Sequence, residues 1–102
     1  MKAKSQFGEI EIGQPIVVSY GNGVELGWFK GLGQGTYQYY SVNNVLASKK
    51  RNNKIYTSFI HGNNKRWRIA PFNITSITDQ EAKEEALEAI EYLNEKNFPA
   101  RF

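Results

Sequence analysis

The chain contains no cysteine. It therefore has no disulfide framework and no thiolate metal site, as suits a reducing cytoplasm. Histidine is nearly absent as well: only His61 occurs, within a run of turn-forming residues. No carboxylate pair stands out for acid–base work, so nucleophilic and general acid–base catalysis lack their usual groups. No enzymatic activity, metal or cofactor is expected. Long apolar runs are missing too. No stretch approaches the roughly 20 apolar residues of a membrane helix, and the opening MKAKSQFGEI has no signal-peptide core. No membrane partner is expected.

Aromatic residues, in contrast, are plentiful. They make up 14% of the chain, and Trp28, Phe29, Tyr37, Tyr39 and Tyr40 crowd into one short stretch. Exposed rings stack on the bases of single strands, whereas buried rings fill a core or an interface. Trp28 and Phe29 are read in the second way, and Tyr37 admits both readings. Charge is unevenly divided. Residues 1–78 hold ten basic residues against Glu9, Glu11 and Glu25, and residues 79–102 hold seven acidic against three basic. A basic body with an acidic tail points towards a polyanion partner. Lys49, Lys50, Arg51 and Lys54 form one basic cluster, and Lys65, Arg66 and Arg68 form another. Both are expected at hairpin ends on one edge of the molecule. There they either contact phosphates without regard to sequence or keep the loops solvated.

Phe7 to Ile12 alternates and predicts a short strand or extended arm. Ile16 to Tyr20 alternates as a half-buried strand requires. Gly21-Asn22-Gly23 supplies residues that tolerate positive φ, as a tight hairpin needs. Val24 to Lys30 is the second strand, and Gly27 within it marks a bend or a close approach. Tyr37 to Val42 is the third, with Val45-Leu46 as a continuation and a charged loop from Lys49 to Lys54. Ile55 to Ile60 and Arg66 to Ile69 predict a hairpin about His61-Gly62-Asn63-Asn64. Pro71 has no N–H to donate and belongs at an edge or bend, before a last strand from Phe72 to Ile77. Thr78-Asp79-Gln80-Glu81 matches a capping box. The helix it opens carries a stripe of Ala82, Ala86, Leu87, Ala89, Ile90 and Leu93 and ends at Asn97 and Pro99. The expected class is mainly β. A small, highly bent five-stranded barrel with an N-terminal arm occupies residues 1–78, and an amphipathic α-helix and tail occupy 79–102 of the same domain.

Ile16 to Ile77 resembles the Sm/LSm/Hfq family, as a divergent member of phage type. Asn22-Gly23 stands at the family's turn and Gly27 at its internal glycine. Trp28-Phe29-Lys30-Gly31-Leu32 follows its apolar-apolar-polar-Gly-apolar trend. Ile74 and Ile77 fit its second motif, with Ala70-Pro71 in place of an Arg-Gly pair. The family's Asp-x-x-x-Asn base-binding loop appears as Gly33-Gln34-Gly35-Thr36-Tyr37.

The resemblance implies a homo-oligomeric ring of about five to seven copies. The family closes such rings by pairing the fourth strand of one subunit with the fifth of the next. Phe72, Asn73, Ile74, Thr75 and Ile77 would form that interface. It further implies non-catalytic binding of single-stranded RNA at Gly33, Gln34, Gly35 and Tyr37. The basic residues Lys49, Lys50, Arg51, Lys54, Lys65, Arg66 and Arg68 would meet the backbone. The loop lacks the family's Asp and Asn, so uracil selectivity does not carry over. Two other readings stay open: a monomeric Tudor- or KOW-like barrel that binds protein or nucleic acid, and a structural phage protein with no RNA role.

Overall fold

A computed structural model describes residues 2–5, 8–64 and 66–102 of the chain. Two expectations, the start of the first strand at Phe7 and the role of Lys65, fall outside them. Strands β1 (Lys2–Ser5) and β2 (Gly8–Glu11) form an antiparallel hairpin. Strands β3 (Pro15–Tyr20), β4 (Gly23–Gly33), β5 (Thr36–Ser41), β6 (Ser58–His61) and β7 (Trp67–Pro71) form one antiparallel five-stranded sheet in the order β6-β5-β4-β3-β7. Helix α1 (Val42–Arg51) lies between β5 and β6, and helix α2 (Gln80–Glu95) follows β7.

The two hairpins at the centre of the sheet follow from their turn residues. The β3–β4 loop is Gly21-Asn22, with Gly21 at φ +44° and Tyr20 already paired to Gly23. The two-residue loop thus lies one position earlier than the Asn22-Gly23 motif suggests, and its glycine is Gly21 and not Gly23. In the β4–β5 loop both Gln34 (φ 46°) and Gly35 (φ 76°) are left-handed, as a type I′ turn demands. Gly27 pairs with Ser41. A Cβ there would collide with the Tyr40 carbonyl oxygen, so close approach, one of the two expected reasons, explains this glycine.

The sheet has two packed faces. Successive strand residues point to opposite sides, so Trp28 and Phe29 enter different cores, and both are fully buried. Phe29 joins Ile10, Ile16, Val18, Tyr39, Ile60 and Ile69. Trp28 joins Val45, Ile74, Ala86, Ala89, Ile90 and Leu93 beneath the helices. Ile60 of β6 and Ile69 of β7 share one core although their strands are opposite edges of the sheet. The sheet must therefore be curled.

The connection between those strands requires the same. Asn64 N–H donates to the His61 carbonyl (3.0 Å), and the Asn64 side chain accepts from the N–H groups of Arg66 and Trp67 at 2.8 and 3.2 Å. A β-turn spans less than about 7 Å, and three further residues add at most about 11 Å. A flat five-stranded sheet would hold its edges about 19 Å apart. The curl stops short of closure: β6 and β7 are not hydrogen-bonded to each other. The domain is mainly β with an added C-terminal helix, as expected, but the barrel is open.

Further expectations are corrected. His61-Gly62-Asn63-Asn64 does not join a paired hairpin, because β6 pairs with β5 and β7 with β3. Lys49–Lys54 is a loop only from Asn52 onward, since residues 49–51 are the last turn of α1. Ser41 caps that helix by accepting from Asn44 N–H (3.2 Å). Val42, Val45 and Leu46 stand at the helical spacing of three and four that reads as a strand end when taken piecemeal. Phe72–Ile77 is not a strand. Asn73 caps a single 3-10 turn (Ile74–Ser76), and Ile74 is fully buried under α2. The fifth strand of the sheet is instead Trp67–Pro71, which puts Pro71 at the end of an edge strand as expected. Finally, α2 is capped by Asp79 in place of Thr78, with Ala82 N–H donating to Asp79 Oδ2 (2.8 Å). Leu87 is exposed, while Tyr92 is buried in the stripe.

Two measurements probe this architecture. Gly27→Ala is expected to cost about 1–3 kcal/mol, read from the urea unfolding midpoint. The second concerns Tyr39, whose hydroxyl donates to the Glu25 carboxylate inside the curl. Burial, then that hydrogen bond, hold its proton far above the ordinary tyrosine range. An unfolded tyrosine ionises near pH 10. The stabilisation is therefore complete below about pH 10 and declines as pH rises, because only the unfolded chain loses the proton. Its slope is about 1.4 kcal/mol per pH unit. Tyr39→Phe should remove this component of the alkaline loss. An identical decline in both proteins at pH 11 would exclude Tyr39 as its source.

Candidate nucleic-acid interface

The β4–β5 turn borders an open groove of about 500 Å³, lined by Gly33, Gln34, Thr36, Gln38, Phe59 and His61. Register explains the grouping. Gly31 pairs with Gln38, and Gln38 with Phe59; Gly33 pairs with Thr36, and Thr36 with His61. Paired residues share a face of the sheet, so the turn, two polar side chains of β5 and two rings of β6 come together. Phe59 is 53% exposed. Its ring meets that of His61 edge-on, centroids 5.8 Å apart. The Thr36 hydroxyl donates to the Gly33 carbonyl and tightens the turn. The Gln38 amide lies where a side chain on Gly33 would be.

Of the residues expected to contact bases, Gly33, Gln34 and Gly35 occupy this turn, and Gly33 and Gln34 line the groove. Tyr37 faces the other way. It is half-buried in the inner core with its ring 6.4 Å from that of Phe29. The exposed ring at this place is Phe59, which along the chain looks like part of an ordinary alternating strand. The signal that would have found it is the register: with Gln38 one step from Tyr37, the residue paired to it shares the outer face.

The basic residues divide into separate groups. Lys49 Nζ bonds Glu88 Oε1 at 3.0 Å. That bond, with the further carboxylates of Glu91 and Glu95, raises the Lys49 pKa against the opposing effect of desolvation. Lys50, Arg51 and Lys54 are exposed. Arg66 lies exposed in the β6–β7 link, and Arg68 is exposed on β7 opposite Ser19. The two clusters therefore do not share a hairpin end. One ends α1 and leads into β6; Arg66 and Arg68 of the other lie in the β6–β7 link and on β7. Lys30, not anticipated, sits at the bulge of β4. Its Nζ lies 4.9 Å above the Tyr40 ring and donates to Thr57 Oγ1 (2.8 Å). Such a cation is held over an aromatic face by the ring quadrupole.

Among the described residues no group of three His, Cys, Asp or Glu is arranged to hold a metal, and no helix is long and apolar enough to cross a membrane. Comparison with family models, curated proteins and solved structures gives no match. The groove is thus described by its own residues alone.

Gly33→Ala separates the groove from the scaffold. The added methyl meets only the far end of the flexible Gln38 side chain, so stability should change by less than about 1 kcal/mol. The amide must swing away, and any ligand that uses it should bind more weakly. Thermal unfolding alongside ligand titration reads the two effects apart. A large loss of stability would mean that Gln38 is held rigidly in the fold.

Proposed function

We propose that this chain is an Sm-like, ring-forming protein that binds single-stranded RNA without catalysis. The observation that carries the reading is the groove at the Gly33–Thr36 turn. The resemblance puts the base-binding loop at this turn, and an exposed ring, Phe59, stands beside the amide of Gln38 there. Base–aromatic stacking is worth about 1–3 kcal/mol per base and tolerates any base. Amide groups add hydrogen bonds to base edges, which are free in a single strand. The surplus of basic residues in 1–78 supplies the phosphate attraction.

Assembly is supported by the edges. The fourth and fifth strands of the sheet, β6 and β7, stand at the two ends of its strand order. The family uses these two strands to join neighbouring subunits. Repetition of one such heterologous contact from copy to copy closes a ring. The interface moves accordingly from Phe72–Ile77 to Ser58–His61 of one copy and Trp67–Pro71 of the next.

Phe59→Ala is expected to weaken binding of homopolymer RNA by about 1–3 kcal/mol, and Phe59→Tyr to be nearly neutral. Fluorescence titration with several homopolymers should also show little base preference. Light scattering on the free protein tests assembly against the subunit mass of 11.7 kDa. A mass of one subunit with RNA binding intact would replace the ring with a monomeric nucleic-acid-binding barrel. A ring that binds no RNA would leave a structural assembly.

A further inference from the structure

A second groove runs between α1 and the segment that leads into β6. Its volume is about 390 Å³, and Asn44, Arg51, Asn53, Lys54 and Tyr56 line it. That size lies within the range of ligand clefts. Its walls are fixed by hydrogen bonds. Asn52 ends α1 in left-handed backbone (φ 54°) and turns the chain back. Asn53 N–H then reaches the Ser48 carbonyl (3.2 Å), and the Ser48 hydroxyl donates to the Asn53 carbonyl. Across the groove, Asn44 Nδ2 donates to Ser58 Oγ (3.1 Å).

Two features of the lining have no role in this scaffold. Tyr56 is 66% exposed, though its ring could bury a large apolar area. Arg51 and Lys54 are exposed and, unlike Lys49, have no carboxylate partner among the described residues. Arg51 also complements the negative end of the α1 dipole. That effect fades beyond the last turn, so it accounts neither for Lys54 nor for the ring beside it.

We propose that this groove is a nucleotide subsite, in which one base stacks on Tyr56 and the adjacent phosphate is held by Arg51 and Lys54. An aromatic face with two cations beside it matches the two halves of a nucleotide. The subsite rests on the single-stranded RNA reading and adds to it a second contact contributed by α1 and the chain after it. Tyr56 and Phe59 are three residues apart, at most about 11 Å of chain, so one short strand reaches both grooves.

The test is anisotropy titration of labelled 12-nucleotide oligouridylate and oligoadenylate over a range of salt. Tyr56→Ala should weaken binding about tenfold, with recovery in Tyr56→Phe. Arg51→Gln combined with Lys54→Gln should flatten the slope of log affinity against log salt by about 0.7, the value for the one phosphate no longer neutralised. Circular dichroism should show all variants folded, since the substituted side chains are exposed. If Tyr56→Ala binds as tightly as the unaltered protein while Phe59→Ala is weakened, this subsite is wrong and the RNA reading survives. If the unaltered protein binds neither oligonucleotide, both fail. A polyglutamate peptide that competes fully, and is insensitive to Tyr56→Ala, would overturn the nucleotide in favour of an acidic protein partner.

Discussion

The structure depends on one strand having to bury both of its faces. β4 carries Trp28 into the core beneath the helices and Phe29 into the core inside the curl, and neither ring is accessible to solvent. A strand with only one apolar face would leave one of these rings in water, and fully burying a ring of this kind contributes roughly 1.5–3 kcal/mol. The requirement shapes its neighbours. Gly27 must lack a side chain so that the β5 backbone can approach. The bulge between Phe29 and Gly31 bends the strand there, as bulges do. The curl of the sheet then brings Ile60 and Ile69 from its two edges onto Phe29.

The helix-side core is completed by the end of the chain. Trp28 Nε1 donates to the Arg101 carbonyl (2.9 Å), and Arg101 N–H donates to the Gly13 carbonyl (2.9 Å). Asn94 Nδ2 holds the Ala100 carbonyl (3.0 Å). Gly13 has φ +90°, and a side chain there would collide with the Pro99 carbonyl oxygen. The tail is thus clipped across the β2–β3 turn, and the buried indole keeps its hydrogen-bond partner, as a buried donor requires. The acidic tail region also shapes the electrostatics. Glu88 engages Lys49, which leaves Lys50, Arg51 and Lys54 as the cations of this end that face solvent without an ion pair among the described residues. The basic surface is therefore smaller and more localised than the charge count implies.

Much of the fold was legible along the chain. Alternation located β3 and the faces of β5, turn glycines located the two central hairpins and with them β4, and the spacing of Ala86, Ala89, Ile90 and Leu93 located α2. These signals are local: each is a period or a turn geometry within a few residues. The misreadings share a different origin. Val42, Val45 and Leu46 are β-branched or apolar enough to extend a strand, and the core they share with α2 and Trp28 takes them as a helix face. Ile74 and Ile77 look like a strand edge, but the space beneath α2 takes Ile74 as a plug and leaves a 3-10 turn.

The candidate site was half legible for the same reason. The Gly33–Gly35 turn announces itself through residues that accept positive φ. Phe59 and His61 reach that turn only through the pairing of β6 with β5, and pairing across 20 or more residues leaves no periodic trace. Tyr37 and Phe59 exchange roles once the pleat is known: one ring points into the curl and the other out of it. The sequence by itself determined the β-rich class, the positions of the central turns, the double apolar face of β4 and the division of charge. Each of these follows from residue chemistry within one element. The tertiary structure alone decided that the barrel stays open and which rings and cations meet in each groove. Those outcomes depend on strand order and packing, in which residues distant along the chain compete for the same buried space.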